Sequence, residues 1–108
     1  MTLEQVKQLS DDEIRIKVAE LLWWYIADAK NGLGVAHGQA IWPHTVKPLP
    51  NYPQDLNACH EMEKTLSLGE KCYYVDLLQG KMGSLEWGFA TARQRCESFI
   101  AVKEREEV

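Results

Sequence analysis

The fold is decided by residues 73–103, which read YYVDLLQGKMGSLEWGFATARQRCESFIAVK. The run Tyr73–Leu78 alternates between two sets of side chains, and this period of two predicts a β-strand. A Gly-rich turn at Gly80–Gly83 follows, so Leu85–Trp87 is predicted to return as a short antiparallel strand. The sequence then changes to a helical pattern.

That last helix is predicted to begin at Thr91. Thr91 and Gln94 have the spacing of a capping box, in which each side chain bonds the backbone N–H of the other. The apolar stripe behind it predicts one buried helix face and consists of Ala92, Cys96, Phe99, Ile100 and the stem of Lys103. The charged tail 104–108 is expected to fray.

Toward the N-terminus, a second capping box predicts the first long helix. It pairs Ser10 with Glu13 and precedes apolar residues at helical spacing, namely Ile14, Val18, Leu21, Leu22 and Tyr25. Residues 1–10 are predicted to form a short helix or an arm before it.

The middle of the chain, residues 28–52, is a Gly- and Pro-rich irregular insert. Asn31-Gly32 is a favoured two-residue hairpin turn, so Ala27–Lys30 and Leu33–Ala36 are predicted to flank it as short strands. The prolines that follow predict an extended surface connector. Helix two is then expected from Pro53 to a stop at Gly69, with a stripe of Leu56, Cys59, Met62 or Glu63, and Leu66.

These elements predict one α+β domain over residues 1–108, with a small antiparallel sheet sandwiched by helices in the order α-(ββ)-α-β-β-α. The 108 residues are 45% apolar and carry a formal net charge of −4, which argues against binding to polymeric nucleic acid. No run suits a membrane helix or a signal peptide, so a cytoplasmic protein without membrane partners is expected. The three cysteines are interpreted as small buried hydrophobes.

Patterns for enzyme chemistry are weak. The glycines at 32, 34 and 38 miss the dinucleotide-binding spacing, and no helix follows them. The histidines and cysteines lack metal-ligand spacing, and nothing marks a cysteine as an activated nucleophile. The sequence therefore predicts a protein that is not an enzyme and has no cofactor.

Arg93 and Arg95 are the sharpest candidate site residues. They fall near the start of the last helix, where the helix macrodipole disfavours positive charge. An anionic ligand or a carboxylate partner would explain them, and salt bridges to acids of helix two are the alternative interpretation. The tryptophans are expected to pack in the core, in a subunit interface or, for Trp87, against a nucleobase.

Three segments resemble the phage ABA sandwich domain family of small phage-encoded proteins. They are Ile14–Leu21 (IRIKVAEL), Leu49–Lys64 (LPNYPQDLNACHEMEK) and Phe89–Phe99 (FATARQRCESF). Members often close helix one with Gly-Trp, whereas this chain has Trp23-Trp24 there.

The resemblance implies a helix–sheet–helix sandwich and extends to anti-Thoeris sponges, which sequester cyclic ADP-ribose signals without cleaving them. It implies a homo-oligomer that captures a cyclic nucleotide in the cytoplasm of an infected bacterium. Arg93 and Arg95 would grip phosphates, Trp87 and Tyr74 would stack on a base, and Asp76 would accept from a ribose hydroxyl. The alternative is a phage accessory protein that contacts a host protein.

Overall fold

The computed structural model describes residues 2–38, 46–82 and 90–104, without the side chains of residues 81 and 82. These residues form five α-helices, a three-stranded sheet and one 3₁₀ turn. The helices are α1 (Leu3–Lys7), α2 (Asp11–Leu21), α3 (Leu56–Glu63), α4 (Leu68–Met82) and α5 (Ala92–Lys103). The strands are β1 (Tyr25–Asp28), β2 (Leu33–Val35) and β3 (Lys47–Pro48), and the 3₁₀ turn is Tyr52–Gln54. The predicted α+β class is confirmed.

Both predicted capping boxes are confirmed. At α2, Glu13 N donates to Ser10 Oγ over 3.2 Å and Ser10 N donates to Glu13 Oε1 over 3.0 Å. At α5, Gln94 N donates to Thr91 Oγ1 over 3.1 Å and Thr91 N donates to Gln94 Oε1 over 2.9 Å. These reciprocal bonds satisfy N–H groups that have no partner within the helix, which is why both helices begin where the sequence indicates.

The predicted hairpin also forms, with its first strand shifted by two residues. Strands β1 and β2 pair antiparallel, but residues 29–32 connect them, so the loop has four residues and not the predicted two; Gly32 in it has a φ of +67°. The Asp28 carboxylate accepts from Asn31 N at 3.1 Å and from Asn31 Nδ2 at 2.7 Å. Strand β3 pairs with the other side of β2, so β2 is central and Pro48 lies on an edge, where proline is tolerated.

The strand predicted at Tyr73–Leu78 is wrong, because this run lies inside helix α4. A capping box that the sequence interpretation overlooked starts the helix: Glu70 N donates to Ser67 Oγ over 3.3 Å and Ser67 N donates to Glu70 Oε1 over 2.8 Å. Tyr74 and Leu78 then fall four residues apart on one buried face. The run is apolar at both odd and even positions, so its alternation did not distinguish a strand from a helix. The predicted return strand Leu85–Trp87 lies outside the described residues.

Helix two is shorter than predicted. Pro53 lies in the 3₁₀ turn, and Asp55 caps α3 by accepting from the backbone N–H of Asn57 at 2.9 Å. The helix ends at Glu63, and Gly69 lies within α4 instead of terminating α3. The expected stripe is mostly correct, since Cys59, Met62 and Leu66 are buried.

Helix α5 is the centre of the core. Helices α1, α2, α3 and α4 all contact it, whereas the sheet contacts α2 through β1. The largest fully buried side chains include Phe99, Ile14, Leu49, Met62, Leu78 and Ile100. Among the helices that the structure describes, none has both the length and the apolar character needed to cross a membrane.

Candidate functional site

Arg95 is buried among the helices and pairs with a carboxylate of α3. The residue is 5% exposed. Its Nη1 donates to Glu63 Oε2 over 3.0 Å and its Nε donates to the Ala90 carbonyl over 3.1 Å. The alternative interpretation, a salt bridge to an acid of helix two, is thus what the structure has for this arginine.

Tyr74 joins the same carboxylate from α4. Its hydroxyl donates to Glu63 Oε2 over 2.8 Å, so one oxygen connects three helices. Burial, reinforced by the hydrogen bond to Glu63, raises the pKa of Tyr74 far above its usual range and keeps it a neutral donor. The residue is 3% exposed and belongs to the hydrophobic core, so stacking on a base would require its ring to leave the core.

Arg93 ties the start of α5 to the link between α1 and α2. Its Nη1 donates to Asp11, its Nε donates to Glu97 Oε2 over 3.2 Å, and its Nη2 donates to the Leu9 carbonyl over 2.5 Å. Burial lowers the pKa of Arg93, but the bonds to Asp11 and Glu97 outweigh it and leave the pKa raised. The hydrogen bond from Arg93 is the main reason that the pKa of Asp11 lies below its ordinary value of 3.8.

These partners explain why α5 tolerates arginine in its first turns: carboxylates offset the unfavourable macrodipole. A ligand phosphate would have to compete with Asp11 or Glu63 for these guanidinium groups. The phosphate-binding role of Arg93 and Arg95 therefore stays a prediction, and it requires the phosphate to displace Asp11 or Glu63 from the guanidinium groups.

A cleft of about 660 Å³ lies between α1, α4 and α5, next to Arg93, which bonds two of its lining residues, Lys7 and Glu97. The described residues that line it are Leu3, Lys7, Asp76, Leu77, Gly80, Gln94 and Glu97. Asp76, a predicted ligand residue, is exposed there. Of the lining residues that the structure describes, Asp76 and Glu97 are acidic and Lys7 is basic, and Glu97 is paired with Arg93. Trp87, the predicted stacking residue, lies outside the described residues.

Adjacent tryptophans take opposite sides at the end of α2. Trp24 N donates to the Ala19 carbonyl and Trp23 N to the Glu20 carbonyl, both over 3.0 Å, which is the pattern of a Schellman cap. Trp23 occupies the position that glycine usually fills and has a φ of +67°. The cap expected from Gly-Trp thus forms with tryptophan in place of glycine, although this backbone conformation costs a residue with a side chain about 1–2 kcal/mol.

The strained tryptophan is also exposed. Trp23 is 76% and Tyr25 is 56% exposed, whereas Trp24 packs against the core and lies under Lys47 Nζ at 5.8 Å from the ring centre. In the described part of the chain, β1 pairs with β2 alone and is an edge strand. We call Trp23, Tyr25, Ala27 and the outer backbone edge of β1 the β1 edge surface.

Sequence reasoning missed this surface, because it assigned the tryptophans only in general to the core, to a subunit interface or, for Trp87, to a nucleobase. The only available signal was the absence of glycine after α2. Within residues 2–38, 46–82 and 90–104, no three His, Cys, Asp or Glu side chains come together as a metal site.

The chain matches no family model, and no curated protein or solved structure is significantly similar to it. The resemblance to the phage ABA sandwich domain family therefore stays a hypothesis.

Proposed function

We propose that this chain is a non-enzymatic binding protein that docks an extended segment of another protein on the β1 edge surface. The observation that carries the proposal is Trp23, a large apolar side chain held exposed in a conformation that glycine would adopt at lower cost. Folding alone gives no reason to keep tryptophan there. Large exposed aromatic residues are typical anchors of protein interfaces.

Strand addition is the binding mode that fits this surface. An edge strand presents N–H and C=O groups that a second extended chain can bond, while alternate side chains give specificity. Along β1, Tyr25 and Ala27 are the more exposed positions and Ile26 and Asp28 the less exposed ones. A partner strand would thus place an apolar side chain against Tyr25.

The negative charge of the chain near the β1 edge surface indicates a partner segment with basic residues. The chain has a net charge of −4, and exposed Glu20 lies at the end of α2 close to Trp23. Asp28 ends β1, and hydrogen bonds from Asn31 lower its pKa, so it remains negative at neutral pH. The partner segment is therefore apolar in its centre and basic at its ends. If the chain is a phage protein, as its resemblance to the phage ABA sandwich domain family implies, the partner is a host protein in the cytoplasm of an infected bacterium.

Selection of short random peptides on the immobilised protein tests this proposal. Enriched peptides should combine aromatic or aliphatic residues with Lys or Arg, and Trp23→Gly should weaken their binding at least about tenfold, as expected for an interface anchor. Leu68→Ser is the matched control, because Leu68 is 80% exposed at the start of α4. Peptides that bind Trp23→Gly as tightly as the wild type would contradict the proposal.

A second candidate, capture of a cyclic nucleotide of the cyclic ADP-ribose type, is favoured by the cleft beside Arg93. Its volume of about 660 Å³ lies within the range of small-molecule sites, and Asp76, one of the residues that line it, would accept from a ribose hydroxyl. The protein would be incubated with cyclic ADP-ribose isomers and cyclic oligonucleotides, washed, and heated to release bound ligand. Recovery of the intact nucleotide from wild type but not from Asp76→Ala supports capture. No recovery at micromolar protein contradicts it.

A further inference from the structure

Two of the three cysteines face each other in the core. Cys59 of α3 and Cys96 of α5 have their Sγ atoms 3.8 Å apart, and neither residue is exposed to solvent. A disulfide requires an Sγ–Sγ distance of about 2.05 Å, so the sulfurs need to approach by only about 1.8 Å. Both residues lie on packed helices, which hold the two thiols together while they are reduced.

The surroundings keep Cys96 protonated in the closed fold. Cys59 Sγ donates to the Tyr52 carbonyl over 3.0 Å. The hydrogen bond with Cys59, together with burial, raises the pKa of Cys96 far above that of a free thiol. The thiolate is the reacting form, so oxidation proceeds through openings of the fold that admit solvent. The pair is therefore slow to react but correctly placed.

We propose that Cys59 and Cys96 are a latent disulfide site that an oxidant of the disulfide class, such as oxidised glutathione, closes. One thiolate attacks the glutathione disulfide, forms a mixed disulfide and releases one reduced glutathione. The second thiolate then attacks the protein sulfur of that mixed disulfide and releases the other. The protein loses two protons and two electrons, and oxidised glutathione becomes two reduced molecules.

The new bond would link α3 to α5 across 37 residues of chain. Closing a loop of this length restricts the unfolded chain, so the oxidised form should be the more stable one. The link also spans the two helices that Glu63 and Arg95 already join. Oxidation would thus secure the arrangement that the reduced protein maintains with an ion pair.

Cys72 provides the internal comparison. It is exposed on α4, so the interpretation of all three cysteines as buried is wrong for Cys72. In the folded protein it should react rapidly with an alkylating reagent, while Cys59 and Cys96 stay protected. Replacing it in Cys72→Ser removes disulfide-linked dimers and leaves the core pair as the only thiols.

The test exposes folded Cys72→Ser to a series of reduced-to-oxidised glutathione ratios, followed by acid quenching, alkylation and mass spectrometry. We expect a form lighter by two hydrogens, with a Cys59–Cys96 crosslink in its peptide map and a melting temperature raised by roughly 10 °C. The double variant Cys59→Ala/Cys72→Ser should lose this form and the shift. If it does not fold, the peptide map of Cys72→Ser still decides the question.

Two results would overturn the proposal. One is a folded protein that remains fully reduced at a ratio that oxidises the same chain in denaturant. The other is a crosslinked form with a lower melting temperature than the dithiol form, which would mean that the helices must distort to bring the sulfurs together. Neither result bears on the β1 edge surface, which contains no cysteine.

Discussion

Arg93 and Arg95 at the start of α5 are turned inward and paired, whereas Trp23 and Tyr25 beside β1 are turned outward and exposed. Residue type alone favours the opposite arrangement, in which arginines meet solvent or ligand and aromatic residues fill the core. In this protein Arg93 and Arg95 hold helices together, and Trp23 and Tyr25 face solvent. A conspicuous residue therefore indicates function only once its local partners are known.

The largest effect is expected from removing Glu63, the carboxylate that pairs with Arg95, which tests whether the buried arginine stabilises the fold. In Glu63→Ala the buried guanidinium loses Glu63 and Tyr74 loses its acceptor, so the free energy of unfolding should fall by about 3–5 kcal/mol. Urea denaturation followed by circular dichroism measures it. Glu61→Ala is the control, since Glu61 pairs with Lys64 on the surface and should matter by less than about 0.5 kcal/mol. Equal, small losses would mean that Arg95 does not depend on this pair.

Trp23 and Trp24 test whether the exposed aromatic side chain, unlike its packed neighbour, contributes nothing to stability. Trp24→Ala removes a ring packed against the core and should lower the free energy of unfolding by about 2 kcal/mol. Trp23→Gly removes an exposed ring and relieves the positive φ, so stability should stay constant or rise by up to about 1 kcal/mol. Thermal and urea melts of the two variants test this. A Trp23→Gly variant as destabilised as Trp24→Ala would show that Trp23 serves the fold.

A substitution at Gly80 tests whether this residue lies in helix α4 or in the turn that the sequence predicts at Gly80–Gly83. It lies inside α4, and a Cβ built on it meets no atom of the described residues within 4 Å. Gly80→Ala should therefore raise the free energy of unfolding by about 0.5–1 kcal/mol through its helix propensity. A loss of stability in urea melts would instead favour the turn that the sequence predicts there.

The smallest expected effect is a pH dependence that originates at Asp11. Its pKa in the folded protein lies below the ordinary value of 3.8, chiefly because Arg93 bonds it. The stability from this pair is therefore complete above pH 3.8 and is lost as the pH falls through the lower, folded-state pKa. Asp11→Asn should reduce this acid-induced loss, by less than about 1 kcal/mol because Asp11 is partly exposed. Melting temperatures of both proteins between neutral pH and pH 2 would reveal it, and an unchanged acid slope in Asp11→Asn would contradict it.

Local signals explain what the sequence could predict. The bonds of Ser10 with Glu13 and of Thr91 with Gln94 span three residues, so spacing alone identifies both helix starts. The Asn31-Gly32 turn is equally local. The sequence predicts a strand within α4 because apolar residues occupy both odd and even positions there. Only packing against α5 selects Tyr74 and Leu78 as the buried face.

The candidate site depends on long-range partners and was predicted less well. The sequence marks Arg93 as unusual, but its partner Asp11 is 82 residues away. Glu63 is 32 residues from Arg95, and pairing it with α5 requires the packed fold. Trp23 differs again, since its proposed role rests on a backbone angle that residue type does not encode.

Hydrogen exchange of the protein with and without a selected peptide tests most directly whether the β1 edge surface is the binding site. Peptide binding should slow the exchange of backbone amides in residues 23–28 and leave the amides at the start of α5 unchanged. Protection at the start of α5 and along the cleft with Asp76, with no change in residues 23–28, would contradict the β1 edge surface as the binding site. It would indicate instead that the ligand binds near Arg93 and Arg95.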